Sequence, residues 1–190
     1  YKGWDPMGFI GMDTVGKTLA IVGAGRIGGQ LAHYAHGLGM TVIYTDVARN
    51  EKIEQDCGAE YVPTLEALLP RADVISLHVP LMDSTHHLIN ENHLSMMKPT
   101  AYLINTSRGP VVDERALVKA LSEKKIAGAG LDVFEFEPKL SPGLARLDNV
   151  ILTPHTASAS KEAREEMATI AAQNILDFLE GKTPRNILNQ

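Results

Sequence analysis

The chain has 190 residues, of which 44% are hydrophobic and 22% are charged, and its formal net charge is −5 at pH 7. This composition is typical of a globular protein and excludes a disordered tail, a collagen-like fibre and a disulfide scaffold. No basic excess or stripe is present, so we expect no nucleic-acid partner. The apolar runs are far shorter than the roughly 20 residues that a membrane helix needs, so we expect no membrane partner either.

Cysteine content and the start of the chain bear on the compartment. Cys57 is the one cysteine, so no internal disulfide can form, and the polar, turn-rich start carries no secretory signal. We therefore expect a cytoplasmic protein. The first residue is Tyr1 rather than Met, which predicts a processed chain or a piece of a longer gene product.

Strand and helix patterns alternate along almost the whole chain. In chain order we predict a strand at residues 19–23, a helix at 27–38, a strand at 41–45, a helix at 51–57, a strand at 60–62, a small helix after Thr64, a strand at 73–79, a helix at 90–97, a strand at 101–105, a helix from Asp113 to about residue 124, strands at 126–132 and 150–152, and a long helix at about 160–180. Thr64 and Asp113 are the predicted N-caps of their helices.

The predicted strands are unusually apolar, and this decides the fold class. Residues 19–22, 73–77 and 102–104 are nearly continuous apolar runs, which are typical of strands buried on both faces of a parallel sheet. Strand–helix alternation with short connections predicts right-handed βαβ units. We therefore expect an α/β protein with a doubly wound parallel sheet of the Rossmann type.

A glycine-rich turn follows the first predicted strand and begins the first helix. Its sequence is Gly23-Ala24-Gly25-Arg26-Ile27-Gly28, the G-x-G-x-x-G pattern of dinucleotide-binding proteins. We expect Gly23 to allow the tight turn, Gly25 to admit a pyrophosphate and Gly28 to let the helix pack on the strand. The amides and the dipole of the helix N-terminus would then hold the anion.

An acidic residue at the end of the next strand completes this pattern. Asp46 lies 18 residues beyond Gly28, where its carboxylate can accept both hydroxyls of an adenosine ribose. The same carboxylate repels a 2′-phosphate and so favours NAD over NADP. Arg49 lies near enough to complicate that preference, and NADP remains possible. An ordinary glycine turn followed by an exposed aspartate is the competing interpretation.

Three further polar residues lie where chemistry is expected in an open α/β sheet, at or beyond the carboxyl ends of strands. Arg108 can hold a carboxylate with two parallel hydrogen bonds, and His155 is a natural proton donor near neutral pH. Glu137 is a carboxylate that could orient the imidazole. Each alone could be an ordinary surface or loop residue. The adjacent His86 and His87 lack companion ligands at metal-site spacing, so no metal is predicted.

Several long motifs in the right order resemble the nucleotide-binding domain of the D-isomer-specific 2-hydroxyacid dehydrogenases. They follow the glycine turn as Ala-Asp-Val-Ile-Ser-Leu-His-Val-Pro-Leu at 72–81, Asn-Thr-Ser-Arg-Gly at 105–109, Gly-Ala-Gly-Leu-Asp-Val-Phe at 128–134 and Leu-Thr-Pro-His at 152–155. Within the family the sequence looks most like glyoxylate and hydroxypyruvate reductases. The match covers nearly all of residues 1–190, which are expected to form one dinucleotide-binding domain.

The resemblance implies roles for individual residues. Arg108, Glu137 and His155 match the family's catalytic residues: the arginine that binds the substrate, the carboxylate and the general acid. NAD is the implied cofactor. The implied cofactor-binding residues are Gly23, Gly25, Arg26, Ile27, Gly28, Asp46, His78, Val79, Pro80, Thr85, Thr106, Ser107, Arg108, Asp132 and His155.

The resemblance also implies what surrounds this domain. A substrate domain, built in the family from segments before and after the cofactor domain, is expected to be missing here, with residues 184–190 as the start of the return to it. Residues 1–15 resemble a dimerisation arm, so a homodimer is expected. The implied activity interconverts a small 2-oxo acid and a D-2-hydroxy acid. The alternatives are an NAD-binding dimerising module, or a corepressor-like NAD sensor without turnover.

Overall fold

The structure is a computed structural model that describes residues 3–5, 8 and 10–187. The predicted arm at 1–15 and the predicted return segment at 184–190 therefore lie partly outside the described residues. The chain divides into two compact units, Tyr1–Pro154 and His155–Gln190. The first unit contains the β-sheet, and the second contains one long helix.

Strands and helices alternate as the sequence predicts. The strands are β1 (Thr18–Val22), β2 (Thr41–Thr45), β3 (Glu60–Tyr61), β4 (Val74–Leu77), β5 (Tyr102–Asn105), β6 (Gly128–Leu131) and β7 (Val150–Leu152). The helices are α1 (Arg26–Gly37), α2 (Glu51–Cys57), α3 (Leu65–Leu68), α4 (Glu91–Met96), α5 (Glu114–Ser122) and α6 (Lys161–Leu179). Within the described residues, no helix combines the length and the apolarity that crossing a membrane requires.

The seven strands of the described chain form one sheet in the order β3-β2-β1-β4-β5-β6-β7. Every neighbouring pair is parallel. The predicted α/β fold with a doubly wound parallel sheet is therefore confirmed. The order reverses between β1 and β4, and the carboxyl ends of strands at such a switch point form a ligand crevice.

Apolar side chains cover one face of the sheet from β1 to β7 and the other face mainly over β1 and β2. Successive residues of a strand point to opposite faces, and β1 supplies Ala20 and Val22 to one buried cluster and Leu19 and Ile21 to the other. Helices α3, α4 and α5 pack on the first face, and α1 and α2 on the second. Burial on both faces explains why the central strands are almost wholly apolar.

Helix N-termini follow the sequence signals. The Thr64 hydroxyl accepts a hydrogen bond from the amide of Ala67 at 3.3 Å, and the Asp113 carboxylate accepts one from Ala116 at 3.0 Å. Both predicted N-caps are confirmed. Such a cap satisfies one of the first-turn amides that have no partner within the helix.

Two predicted strands are too long by more than one residue. The strand predicted at 73–79 ends at Leu77, because the backbone of His78 lies against Gly23 and Pro80 has no amide to extend the ladder. The strand predicted at 126–132 begins only at Gly128. Short 3-10 turns, which the sequence did not predict, occur at Leu69–Arg71, Gly109–Val111 and Leu144–Arg146.

Matched isoleucine substitutions test this core. Ile75 in β4 is fully buried, whereas Ile151 in β7 is 72% exposed. We expect Ile75→Ala to lower the free energy of unfolding by about 2–5 kcal/mol, because it removes buried methyl groups and leaves a cavity. Ile151→Ala should cost less than about 1 kcal/mol. Chemical denaturation measures both values, and equal losses would contradict the assignment of the core.

Candidate cofactor and active site

Close backbone packing shapes the turn between β1 and α1. Gly23 has a left-handed φ of 95°, and a Cβ atom there would lie 2.8 Å from the carbonyl carbon of His78. A Cβ atom on Gly28 would lie 2.1 Å from the Gly23 carbonyl oxygen. These positions therefore exclude a side chain, and helix α1 begins directly above the end of β1.

The middle glycine of the turn has free space instead. A Cβ atom on Gly25 would meet nothing within 4 Å. Gly25 is the N-cap of α1 and contributes no side-chain cap, and the first turn of the helix contains no acidic residue. Open space, backbone amides and the positive end of a 12-residue helix suit the pyrophosphate of a dinucleotide. The residues present therefore fit NAD at this turn.

A pocket of about 640 Å³ lies on the β2 side of the turn. Asp46 and Tyr61 line it together with Gly25 and the segment His78 to Pro80. One oxygen of the Asp46 carboxylate accepts the Ala24 amide at 2.7 Å, and the other accepts the Val47 amide at 2.6 Å. These bonds place the carboxylate at the rim of the glycine turn, where the sequence predicts a ribose contact.

A second pocket, of about 450 Å³, lies on the β5 side of the turn. It is lined by Ile27, the segment from His78 to Leu81, and the segment from Thr106 to Arg108. His78, Val79 and Pro80 line both pockets. The two pockets therefore adjoin along the strand ends, and together they form a groove that runs from Asp46 past the glycine turn to Arg108.

A buried asparagine holds the turn that carries Arg108. Asn105 ends β5 and is 1% exposed. Its carboxamide oxygen accepts hydrogen bonds from the amide of Ser107 at 3.0 Å and from its hydroxyl at 2.8 Å, and its nitrogen donates to the Arg108 carbonyl at 2.9 Å. The Arg108 guanidinium is exposed and donates to the Ser107 carbonyl at 2.7 Å. The turn is thus fixed from inside the protein, and the guanidinium faces solvent.

Direct backbone packing brings the Glu137 loop to this turn. A Cβ atom on Gly109 would lie 1.9 Å from the carbonyl group of Phe134, so the two backbones touch. Glu137 lies three residues further along this loop, and one of its carboxylate oxygens accepts the Phe134 amide at 3.0 Å. The structure therefore brings together the Arg108 turn and the Glu137 loop, which the sequence could only place at neighbouring strand ends.

Two glutamates anchor the same loop to helix α5. The Glu135 carboxylate accepts the Glu114 amide at 3.1 Å, while the Glu114 carboxylate accepts the Glu135 amide at 2.6 Å. His87 contacts the other oxygen of Glu135 at 2.8 Å. Because Glu114 is 1% exposed, this reciprocal pair is an internal anchor and not a surface contact.

Polar contacts also fix Asp132, Thr85 and His78, three other predicted cofactor residues of the first unit. The Asp132 carboxylate is buried after β6 and accepts the Thr153 hydroxyl at 2.5 Å. The Thr85 hydroxyl donates to the Pro80 carbonyl at 2.6 Å, so it fixes the loop that lines both pockets. His78 contacts the Ser76 hydroxyl at 2.9 Å, and burial lowers the pKa of its imidazole.

His155 is the first residue of the second unit. Its side chain is exposed, and its backbone adopts a left-handed φ of 53°, which is uncommon for a residue other than glycine. Arg108 and Glu137 belong to the first unit, so a catalytic group that joins His155 to them is a proposal.

Sequence reasoning missed the residues that hold the site in place, namely Asn105, Glu114, Glu135 and Thr153. Asn105 had a usable signal, because a polar residue that ends an apolar strand is normally paired when it is buried. Glu114 and Glu135 gave no such signal, because each reads as an ordinary surface charge. Their role becomes visible only in the structure, where the two residues, 21 positions apart in the sequence, bond to each other.

A doubly wound sheet with this glycine turn, a carboxylate after β2 and a groove across the strand ends defines a dinucleotide-binding domain. The sequence profile of the D-isomer specific 2-hydroxyacid dehydrogenase NAD binding domain matches residues 1–157. The chain therefore belongs to this family, as predicted. Membership also confirms NAD as the class of cofactor.

Individual relatives agree with the profile. The glyoxylate reductase of Korarchaeum cryptofilum is 53% identical over 189 residues, which cover 98% of this chain and 56% of that protein. The glyoxylate reductase of Thermococcus litoralis is 54% identical over 188 residues, which cover 99% of this chain and 56% of that protein. The solved D-lactate dehydrogenase with NAD+ from Lactobacillus jensenii is 32% identical, with a TM-score of 0.87, over 98% of this chain and 60% of that one. The chain thus spans little more than half the length of the relatives that it matches.

Two glycine substitutions should separate the scaffold from the cofactor site. Gly109→Ala forces a Cβ atom into the Phe134 carbonyl, so we expect a loss of stability of several kcal/mol. Gly25→Ala meets no protein atom and should leave stability nearly unchanged, but it places a methyl group where the pyrophosphate would lie. Thermal unfolding and NAD titration measure the two effects. Normal NAD affinity in Gly25→Ala would contradict the assigned pyrophosphate site.

The lowered pKa of His78 predicts a pH-dependent stability. Below about pH 6.5 the unfolded chain binds a proton at this residue more readily than the folded chain does, so His78 makes stability rise with pH until it is neutral in both states. We expect His78→Gln to remove up to about 1.4 kcal/mol per pH unit of this slope. Denaturation curves between pH 5 and pH 7 measure it, with exposed His36→Gln as control. A His78→Gln profile parallel to the wild type would refute the prediction.

Proposed function

We propose that this chain provides the cofactor site and the principal catalytic residues of an NAD-dependent D-2-hydroxyacid dehydrogenase. The reaction is the interconversion of a small 2-oxo acid and its D-2-hydroxy acid. The observation that carries the proposal is the groove that joins Asp46, the glycine turn and Arg108 along the strand ends. Relatives of about 50% identity that are named glyoxylate reductase favour glyoxylate as substrate, and hydroxypyruvate is the next candidate.

Each part of the groove has a role in holding the cofactor. The ribose hydroxyls would bind Asp46, the pyrophosphate would bind the amides at the start of α1, and the nicotinamide end would extend toward Thr106 and Asp132. Bound NADH would supply the hydride. Asp46 would favour NAD, because a 2′-phosphate would meet its carboxylate.

Arg108 would bind the substrate. A guanidinium can donate two parallel hydrogen bonds to a carboxylate, and it polarises a neighbouring carbonyl oxygen. The bond from Arg108 to the Ser107 carbonyl and the Asn105 clamp orient the guanidinium at the groove, so little conformational freedom would be lost on binding.

His155 and Glu137 would protonate the substrate oxygen, with His155 as the proton donor and Glu137 as its partner. When the substrate carbonyl carbon accepts hydride, its oxygen needs a proton, which a protonated His155 can donate. The Glu137 carboxylate would accept a hydrogen bond from the imidazole and so fix its orientation. Support comes from the packing of the Glu137 loop against the Arg108 turn and from the family resemblance at residues 152–155.

The expected assembly is a homodimer formed through this domain, and it stays a prediction. Ile10 and Val15, near the start of the chain, expose most of their apolar side chains, as residues of an interface between subunits would. The cytoplasmic location also stays a prediction.

Substitution of His155 tests the proposed reaction. In the full-length polypeptide, His155→Gln should lower kcat for glyoxylate reduction by ~10²–10⁴-fold, because the general acid is lost, while NADH affinity changes little. His86→Gln, an exposed histidine elsewhere, should leave kcat unchanged. Steady-state kinetics with NADH and direct NADH titration provide the two readouts. Full activity of His155→Gln would exclude this residue as the acid.

A further inference from the structure

A separate shallow pocket lies on the outer side of Asp46. Its volume is about 460 Å³, and Ala24, Asp46, Arg49 and Asn50 are among the residues that line it. Gly25 and Asp46 line both this pocket and the larger one assigned to the adenosine end of the cofactor. A group attached to the 2′-oxygen of a ribose held by Asp46 would therefore have space here.

The charged side chains at this pocket disfavour a bound phosphate. The Arg49 guanidinium lines it but is engaged by Glu54, with Nε donating to one carboxylate oxygen at 3.0 Å and Nη2 donating to the other at 2.7 Å. Arg49 also lies over the ring of Tyr61, 5.5 Å from its centre. The cation that could bind a phosphate is thus already paired in bidentate geometry.

Buried groups hold Glu54 in this position. The hydroxyl of fully buried Tyr44 donates to the same Glu54 oxygen that accepts Arg49 Nε, at 2.5 Å, and the Tyr44 oxygen accepts the Asn50 amide at 2.8 Å. These contacts with Arg49 and Tyr44 lower the pKa of Glu54, so the carboxylate stays charged across the neutral range. Glu54 is therefore fixed from inside the protein, unlike a glutamate that is free to leave its partner.

We propose that Glu54 is a specificity-determining residue for the cofactor. It withholds Arg49 from the ribose 2′-position, so the chain rejects NADP both through the Asp46 carboxylate and through the loss of the cation that would otherwise bind a 2′-phosphate. The inference rests on the adenosine site of the proposed function. It also resolves the ambiguity of Arg49 in the sequence, since an arginine near Asp46 need not favour NADP when a neighbouring carboxylate pairs with it.

A binding experiment with two nicotinamide-free probes tests this proposal. Adenosine 5′-monophosphate reports the adenosine site, and adenosine 2′,5′-bisphosphate adds only the 2′-phosphate. In an Asp46→Ser background, which removes the direct repulsion, we expect Glu54→Gln to tighten bisphosphate binding by about tenfold or more through charge-assisted hydrogen bonds from Arg49. The affinity for the monophosphate should stay the same. Glutamine keeps an oxygen for the Tyr44 hydroxyl, which preserves the fold.

Two controls separate release of Arg49 from a general change of charge. Glu51→Gln removes an equal charge from the lining of the same pocket and should give a much smaller gain. Arg49→Gln, added to the Asp46→Ser/Glu54→Gln double variant, should abolish the gain. In Asp46→Ser with Glu54 intact, Arg49→Gln should not weaken bisphosphate binding, because Arg49 is already engaged.

Several results would overturn the proposal. One is that Glu54→Gln leaves the bisphosphate affinity of Asp46→Ser unchanged, and another is that Glu51→Gln raises this affinity as much as Glu54→Gln does. The proposal also fails if the gain in affinity persists after Arg49→Gln, or if Arg49→Gln weakens bisphosphate binding while Glu54 is present. Wild-type chain that binds neither adenosine 5′-monophosphate nor NAD would overturn the cofactor site as well. A chain that shows the predicted binding but belongs to a polypeptide that reduces no 2-oxo acid would refute the proposed function and leave this inference standing.

Discussion

Backbone crowding at the switch point of the sheet is the constraint on which the site depends. Gly23 packs on the carbonyl of His78, and Gly28 packs on the carbonyl of Gly23, at distances that leave no space for a Cβ atom. These two contacts fix the start of α1 above the ends of β1 and β4. They make the amide-lined end of a helix available to an anion while the space over Gly25 stays open.

The parallel sheet sets the order of the functional groups along the groove. Asp46 follows β2, His78 follows β4, Thr106 to Arg108 follow β5, and Asp132 follows β6. Neighbouring strands in a sheet are about 4.8 Å apart, so residues that follow successive strands lie at regular intervals along a bound dinucleotide. Polar contacts then fix the loops: Asn105 holds the Arg108 turn, Thr85 holds the loop after β4, and the Glu114–Glu135 pair holds the loop that carries Glu137.

Local sequence signals predicted the fold well because they act over a few residues. Apolar runs, the glycine turn and the caps Thr64 and Asp113 each depend on near neighbours, and the structure contains all of them. The end of β4 was placed two residues too late, because its termination depends on contact with Gly23, some 55 positions earlier (78 − 23). Long-range contacts of this kind have no local signature.

The contrast between local signals and long-range contacts also decides which site residues could be predicted. Residue types at strand ends located Asp46 and Arg108 at the groove, and the family resemblance supplied roles for Glu137 and His155. The anchors Glu114 and Glu135 went unrecognised, since their pairing is set by tertiary packing. Asn105 was also missed, although its partners Ser107 and Arg108 are close in the sequence. Arg49 was recognised but left ambiguous, because its effect depends on the side chain that pairs with it, and only the structure identifies Glu54 as that partner.

A crystal structure of the chain with NAD bound would show whether the groove is the cofactor site. We expect the pyrophosphate on the amides of Gly25 to Ile27, both adenosine ribose hydroxyls on Asp46, and the nicotinamide ring beyond His78 on the Arg108 side of the groove. A dinucleotide bound elsewhere, or one reversed so that its nicotinamide lay beside Asp46, would show that the groove has been assigned wrongly.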